Sequence, residues 1–302
     1  MPLMIRETDK VKREIKMELA YIIYLDWNII ADLESGKLPK LEKKLFEAKK
    51  REVISIPFSG AHIKEACNIK PEGEINKRLE YISKLSSNLY FVNNLQSIGY
   101  RIETPQSVYD TISAVDLGFD IDKVFSNLIP YEVLKYARNL LMLDPARLNN
   151  INPEEAVDEI DKIITSKELK NRFWPDYEGD LSFMGIIKTI SELIKQNPFI
   201  PYKEQYYNKR FKMVENTIIQ AFFLLDSLGF WPDKKTVYKK GTRVEDAMHA
   251  FNGTFTDLII SADKRFCMKA KAVYCWSFGH GLLKRKPKVL HIKIDKDKII
   301  QL

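Results

Sequence analysis

Four carboxylates stand where an acid could do chemistry: Asp26, Glu65, Asp246 and Asp263. Asp26 ends the run Tyr21–Leu25 (YIIYL), and Asp263 lies two residues past Leu258–Ser261 (LIIS). Both runs are rich enough in β-branched or aromatic residues to be strands. Glu65 falls on the second turn of a helix that Ser59 can cap and that runs to Asn68, following a strand expected at Val53–Pro57. Asp246 opens the helical stretch Thr242-Arg-Val-Glu245-Asp246-Ala-Met-His249, in which Val244, Ala247, Met248 and Phe251 form the apolar face. There Thr242 and Glu245 match the capping box S/T-x-x-E, which gives Glu245 a structural duty and leaves Asp246 free.

In open α/β sheets the functional crevice lies at the carboxyl ends of the strands, where these acids would meet. Each alone has an ordinary explanation. Asp26 and Asp263 can be N-caps, Glu65 a solvated helix residue, and Asp246 a first-turn acid beside the helix dipole. Four converging carboxylates, however, repel one another unless cations neutralise them. Hard oxygen donors suit Mg²⁺ or Mn²⁺, and two such ions can activate a water and stabilise the leaving oxygen of a phosphodiester.

Other residues are candidates of lower specificity. His62 and His249 each lie one turn from a proposed ligand, Glu65 and Asp246 respectively. With no further His or Cys at zinc-like spacing, they read as packing or supporting hydrogen-bond partners. His280 and His291 receive no role. Tyr202-Lys203, Tyr206-Tyr207 and Lys209-Arg210-Phe211-Lys212 interleave aromatics with cations, a pattern that fits either base stacking or an amphipathic helix. From Lys264 to Leu302 there are eleven Lys or Arg against Asp295 and Asp297, a local charge of +9 that exceeds the +7 of the whole chain. Lys264, Arg265, Lys284, Arg285, Lys286 and Lys288 are therefore expected to contact nucleic acid, provided the Lys284–Lys288 loop lies near the acids; otherwise it is a solvated turn.

The elements that would position these residues follow from the patterning. Pro39 opens a helix with Leu41, Leu45 and Ala48 on one face, and Val289–Ile294 alternates like a last strand. Strands alternate with helices near both ends, which predicts an α/β fold with a mainly parallel sheet covered by helices. Between residues 105 and 212 there is helical periodicity, as at Val157, Ile160 and Ile164, and no convincing strand pair. This reads as a helical insertion at 105–212 in a smaller α/β domain made of 1–104 and 213–302. Glycine and proline number only 25 of 302 residues, about 8% against a usual ~12%, as expected of a helix-rich chain. An apolar fraction of 45% with 29% charged residues excludes a disordered or fibrous chain.

Three cysteines without C-x-x-C suggest neither a disulfide framework nor a zinc knuckle. The charged opening MPLMIRETDK and the short apolar runs predict a cytoplasmic protein without signal peptide or membrane span. No Walker A, dinucleotide or nucleophile-elbow motif is present, which argues against an NTP-driven motor, a Rossmann dehydrogenase and an α/β-hydrolase.

The order of these motifs carries a resemblance. Strand-Asp26-Trp27-Asn28 resembles the D-x-N opening of PIN domains, and Ser59–Glu65 (SGAHIKE) is similar to that family's second segment. Asp246-Ala-Met-His249 followed by Leu258-Ile-Ile-Ser261-Ala-Asp263-Lys-Arg-Phe266 resembles its closing signature. The likeness covers roughly residues 20 to 90 and 213 to 302. It implies a three-layer α/β/α fold and a metal-dependent endoribonuclease. Asp26, Glu65, Asp246 and Asp263 would be the metal-site acids, and Asn28 and Ser261 would support them. Asp257 rivals Asp263 but precedes its strand, which puts it at the opposite sheet edge. Products with 5′-phosphate and 3′-hydroxyl ends, a toxin or defence setting, and an inhibitory protein partner or homo-oligomer beside the single-stranded or structured RNA substrate are further implications. The competing readings are a non-catalytic nucleic-acid-binding or protein-interaction module on the same scaffold, and a metal-dependent phosphatase for small substrates.

Overall fold

The computed structural model describes residues 20–69, 73–93, 98–115, 131–173, 175–176, 178–196, 209–233 and 243–293. The chain begins its sheet with β1 (Tyr21–Leu25), then forms α1 (Trp27–Glu34) and α2 (Pro39–Lys50). An extended stretch follows, containing β2 (Ile54–Ser55) and β3 (Phe58–Ser59) and broken at Ile56-Pro57, where proline lacks the N–H that a ladder needs. Next come α3 (Gly60–Cys67), α4 (Gly73–Ser86), β4 (Leu89–Asn93) and β5 (Ile98–Ile102). The long helical part comprises α5 (Pro105–Val115), α6 (Tyr131–Leu140), α7 (Pro145–Leu148), α8 (Ala156–Ile164), α9 (Lys167–Phe173), α10 (Phe183–Gln196) and α11 (Lys209–Leu228). The chain closes with α12 (Arg243–Gly253), β6 (Leu258–Ser261), α13 (Lys264–Gly279) and β7 (Lys288–His291).

The strands form a parallel sheet in the order β2-β1-β6-β7 and a second sheet in the order β3-β4-β5. β1 sits in the centre of the first, with Leu25 beside Ile260 of β6, so the carboxyl ends of these two strands coincide. Alternate residues feed two apolar clusters, as the two-residue period of a strand dictates. Ile23, Leu25, Leu258 and Ile260 join one cluster with residues of α1, α2 and α4. Tyr24 and Ile259 join the other with residues of α8, α10, α11 and α13. Gly253 ends α12 against β6, where a Cβ would collide with the Ile259 side chain and crowd the Tyr274 hydroxyl.

The α/β class is as expected, and the helical span contains no strand among its described residues. Four details differ from the sequence reading. The pair β4 and β5 is antiparallel and was not anticipated, although β4 (LYFVN) is largely apolar. Helix α5, assigned to the insertion, packs on α3 and α4, and its Val108 belongs to their apolar cluster. The rest of the insertion shares one cluster with the sheet: Val157, Ile160, Phe183 and Ile187 pack with Tyr24, Ile259, Phe266 and Val273. The last strand ends at His291 among the described residues, short of Ile294. None of the three cysteines forms a disulfide among the described residues. No helix among the described residues is long and apolar enough to cross a membrane.

Candidate functional site

Asp26 and Asp263 cap the helices that follow β1 and β6, and both are drawn onto one serine. Asp26 is 3% exposed; its Oδ1 accepts from the Trp27 N–H at 2.8 Å, and its Oδ2 accepts from Asn28 Nδ2 at 2.6 Å and from the Ser261 hydroxyl at 2.5 Å. The Ser261 oxygen in turn accepts from the Asp263 N–H at 2.9 Å, and Asn28 Oδ1 accepts from the Ala262 N–H at 2.8 Å. His291, given no role from the sequence, donates through Nε2 to the Ala262 carbonyl at 3.0 Å. Asp263 Oδ1 accepts from the N–H groups of Arg265 and Phe266 at 2.6 and 3.2 Å, which pins it at the start of α13. Both acids thus act as helix caps; Asn28 and Ser261 bind the Asp26 carboxylate, whereas Asp263 meets Ser261 only through its backbone N–H.

Glu65 is reached from the other side. Its Oε2 accepts from His249 Nε2 at 2.8 Å, which links α3 to α12. His249 Nδ1 lies 2.7 Å from the Tyr24 hydroxyl, and that hydroxyl lies 2.7 Å from Ser59 Oγ. His62 does not meet Glu65 through a described hydrogen bond. Its Nδ1 accepts from the Ser59 N–H at 2.9 Å and its Nε2–H donates to the Leu25 carbonyl at 2.8 Å, fixing a neutral tautomer. Both histidines are fully buried, as befits supports beneath a site. Burial pushes the His62 pKa well below its usual 6.5, and neighbouring His249 pushes the same way. Burial also raises the Glu65 carboxyl, while at His249 Glu65 outweighs burial and raises the imidazole.

Asp246 has no hydrogen-bond donor among the described residues. Desolvation pushes its carboxyl well above the usual range, the Lys269 ammonium pulls it back, and Asp26, Asp233 and Asp263 push it further up. Thr242, the residue expected to form a capping box with Glu245, lies outside the described residues. Glu245 keeps a buried Oε2 with no partner, so the duty assigned to it is not seen among the described residues. Lys269 is 1% exposed and reaches Asp226 and Asp233 at 3.2 Å each, with its ammonium 4.7 Å from the centre of the Phe222 ring.

The four acids thus share an electrostatic neighbourhood, but among the described residues no three His, Cys, Asp or Glu side chains converge closely enough to hold a metal ion. The donor chemistry fits a hard divalent cation: carboxylates, one desolvated and short of donors, beside like charges. Asp26, Asp263 and Glu65 each accept hydrogen bonds from donors of the protein in this structure.

Two basic groups were expected to meet nucleic acid. Lys264 and Arg265 lie directly beside Asp263 on α13. The Lys284–Lys288 loop is a correction: it precedes β7, whose Lys288 pairs with Leu258 at the start of β6, so it lies at the opposite edge of the parallel sheet. Arg285 pairs there with Asp257 at 2.5 Å, and Lys286 with Glu154 at 3.0 Å. Lys284 and Lys288 are exposed on the same remote loop. Asp257 itself accepts from the Ile22 N–H at 2.7 Å at this far edge, so it is no rival to Asp263. Tyr202, Lys203, Tyr206 and Tyr207 lie outside the described residues, as do the side chains of Lys209, Arg210 and Phe211.

Sequence reading missed Tyr24, Asp226, Asp233, Trp231 and Lys269. Lys269 carried a signal, since it interrupts the apolar face Phe266, Ala270, Val273 of its helix. The others carried none, because their neighbours come from distant segments. No family model, curated protein or solved structure matches this chain.

Proposed function

We propose that this chain is a metal-dependent nuclease that hydrolyses RNA phosphodiester bonds on a PIN-like, three-layer α/β/α scaffold. One observation carries the reading: at the coincident ends of β1 and β6, the Ser261 hydroxyl donates to the Asp26 carboxylate and accepts from the Asp263 backbone N–H, which sets both acids at one sheet edge. The scaffold is supported by apolar clusters on both faces of the sheet. Asp26, Glu65, Asp246 and Asp263 would hold Mg²⁺ or Mn²⁺. A cation held there would supply an acidified water and a charge for the leaving oxygen. Asn28 and Ser261 hold the Asp26 carboxylate in one orientation, and Tyr24 holds His249 against Glu65. Lys264 and Arg265 face the strand's phosphates. Products with 5′-phosphate and 3′-hydroxyl ends, a cytoplasmic toxin or defence role, and an inhibitory partner or homo-oligomer belong to the same proposal by resemblance.

The test is incubation with single-stranded RNA, structured RNA and DNA in Mg²⁺ or Mn²⁺, beside Asp26→Asn and Asp246→Asn. Cleavage that survives both substitutions, or survives chelation, overturns the mechanism. A non-catalytic nucleic-acid-binding module is the second reading, favoured by the lack of a chelating cluster among the described residues. Binding without cleavage under all metal conditions would establish it.

A further inference from the structure

An open cavity of about 430 Å³ lies beside Asp263, lined by Asn28, Trp231, Ala262, Asp263, Lys264 and Arg265. Its size is within the roughly 300–1,000 Å³ of small-ligand sites. Two of its walls are the proposed site's own residues, and a third, Trp231, comes from the segment after α11. Trp231 carries two costs in one residue. Its backbone is left-handed, with φ of 48°, a conformation that bulky residues rarely adopt. Its indole Nε1 is buried without an acceptor among the described residues. Both are retained because the segment is held from three sides. Asn149 Oδ1 accepts from the Trp231 N–H at 2.6 Å, Arg138 donates to the carbonyls of Asp226 and Ser227 at 2.8 and 2.7 Å, and buried Lys269 binds Asp233. Strain maintained this way at a cavity wall marks a placed side chain.

The two cations of the cavity are also distinctive. Lys264 is exposed, and its ammonium stands 4.4 Å from the centre of the Trp231 ring. Neither Lys264 nor Arg265 forms an ion pair among the described residues, whereas Arg285 and Lys286 at the far edge both do. We propose that this cavity is a nucleotide subsite for single-stranded nucleic acid, with a base stacked on Trp231 and its phosphate on Lys264 and Arg265. An exposed cation–π contact is a weak hold, whereas a base stacked on an aromatic ring binds more strongly, so the base displaces the ammonium. Lys264 then turns to the phosphate, where its charge is better used. The inference rests on the proposed nuclease reading for its polymer, but it is tested without cleavage.

The experiment is fluorescence anisotropy of a labelled single-stranded RNA oligonucleotide, and of its DNA counterpart, titrated with the full chain in chelator. Trp231→Leu is expected to weaken binding at least about five-fold, and Trp231→Phe to stay near the wild type because it keeps a stacking face. Lys264→Ala is expected to lower affinity and to reduce the slope of log affinity against log salt by about one ion. The proposal is overturned if the wild type does not bind, or if folded Trp231→Leu binds as tightly as wild type. RNA binding that responds to Trp231 in a chain that never cleaves would sink the nuclease reading and keep the subsite. Metal-dependent cleavage with binding indifferent to Trp231 would do the reverse.

Discussion

Replacing Lys269 with methionine tests how α11 and the segment after it are tied to α13, the helix that follows β6. The ammonium is 1% exposed and lies 3.2 Å from both Asp226 and Asp233. At an effective dielectric constant of about 20, each contact is worth roughly 5 kcal/mol of Coulomb attraction before desolvation is charged against it. Methionine keeps the apolar stem beside Phe222 but strands two buried carboxylates, whose remaining donors include the Asp233 N–H at 2.7 Å to Asp226 Oδ1. Breaking a buried pair in this way costs about 3–5 kcal/mol, whereas removing both charges together is close to neutral. The expectation is therefore a loss of about 3–5 kcal/mol in urea unfolding and a melting temperature lower by about 6–15 °C. Lys269→Met combined with Asp226→Asn and Asp233→Asn should recover most of it. A single variant within about 1 kcal/mol of wild type, or a triple variant no better than the single, would refute the argument. Burial opposes the charge on Lys269, yet Asp226, Asp233 and Asp246 outweigh it and raise its pKa, so the ammonium is charged in the folded chain.

Three further outcomes are expected. His62 is neutral when folded, with a pKa well below 6.5, so its contribution to stability is present above pH 6.5 and lost as pH falls below it. Urea unfolding between about pH 6.5 and 5.5 should therefore show a steeper loss for wild type than for His62→Gln, by at most about 1.4 kcal/mol per pH unit; equal slopes would refute it. Gly253→Ala should destabilise by about 1–3 kcal/mol in the same assay, because its methyl meets Ile259 in a filled core; a neutral result would mean the contact yields freely. Lys286→Ala, at the far sheet edge, should change RNA affinity less than about two-fold, and a large loss would return that loop to the binding surface.

Much of the site was legible because its logic is local. A strand ending in Asp26 and one followed by Asp263 place both acids at one edge of a parallel sheet, whatever the rest of the chain does. The step from Asp26 to Asn28 and from Ser261 to Asp263 is short enough that the hydrogen bonds among them follow from the turn. The same logic separated Asp257 from Asp263. It failed for the Lys284–Lys288 loop, since a loop entering a parallel strand starts at the edge opposite to the one where that strand ends.

By itself, the sequence determined the α/β class, the parallel strands, the helical character of the insertion and the positions of the acids at strand ends and helix starts. These depend on periodicity, β-branching and capping, which act over a few residues. Only the tertiary structure decided which distant groups meet. It brought His249 to Glu65, Lys269 to Asp226 and Asp233, and Trp231 to Lys264, pairings across 184, 43 and 33 residues of chain. It also merged the insertion with the sheet in one apolar cluster, where the sequence reading had separated them. Burial and electrostatic coupling are properties of the packed whole: a lysine is an ordinary surface cation in the sequence, and becomes a counter-ion when α11 and α13 close around it.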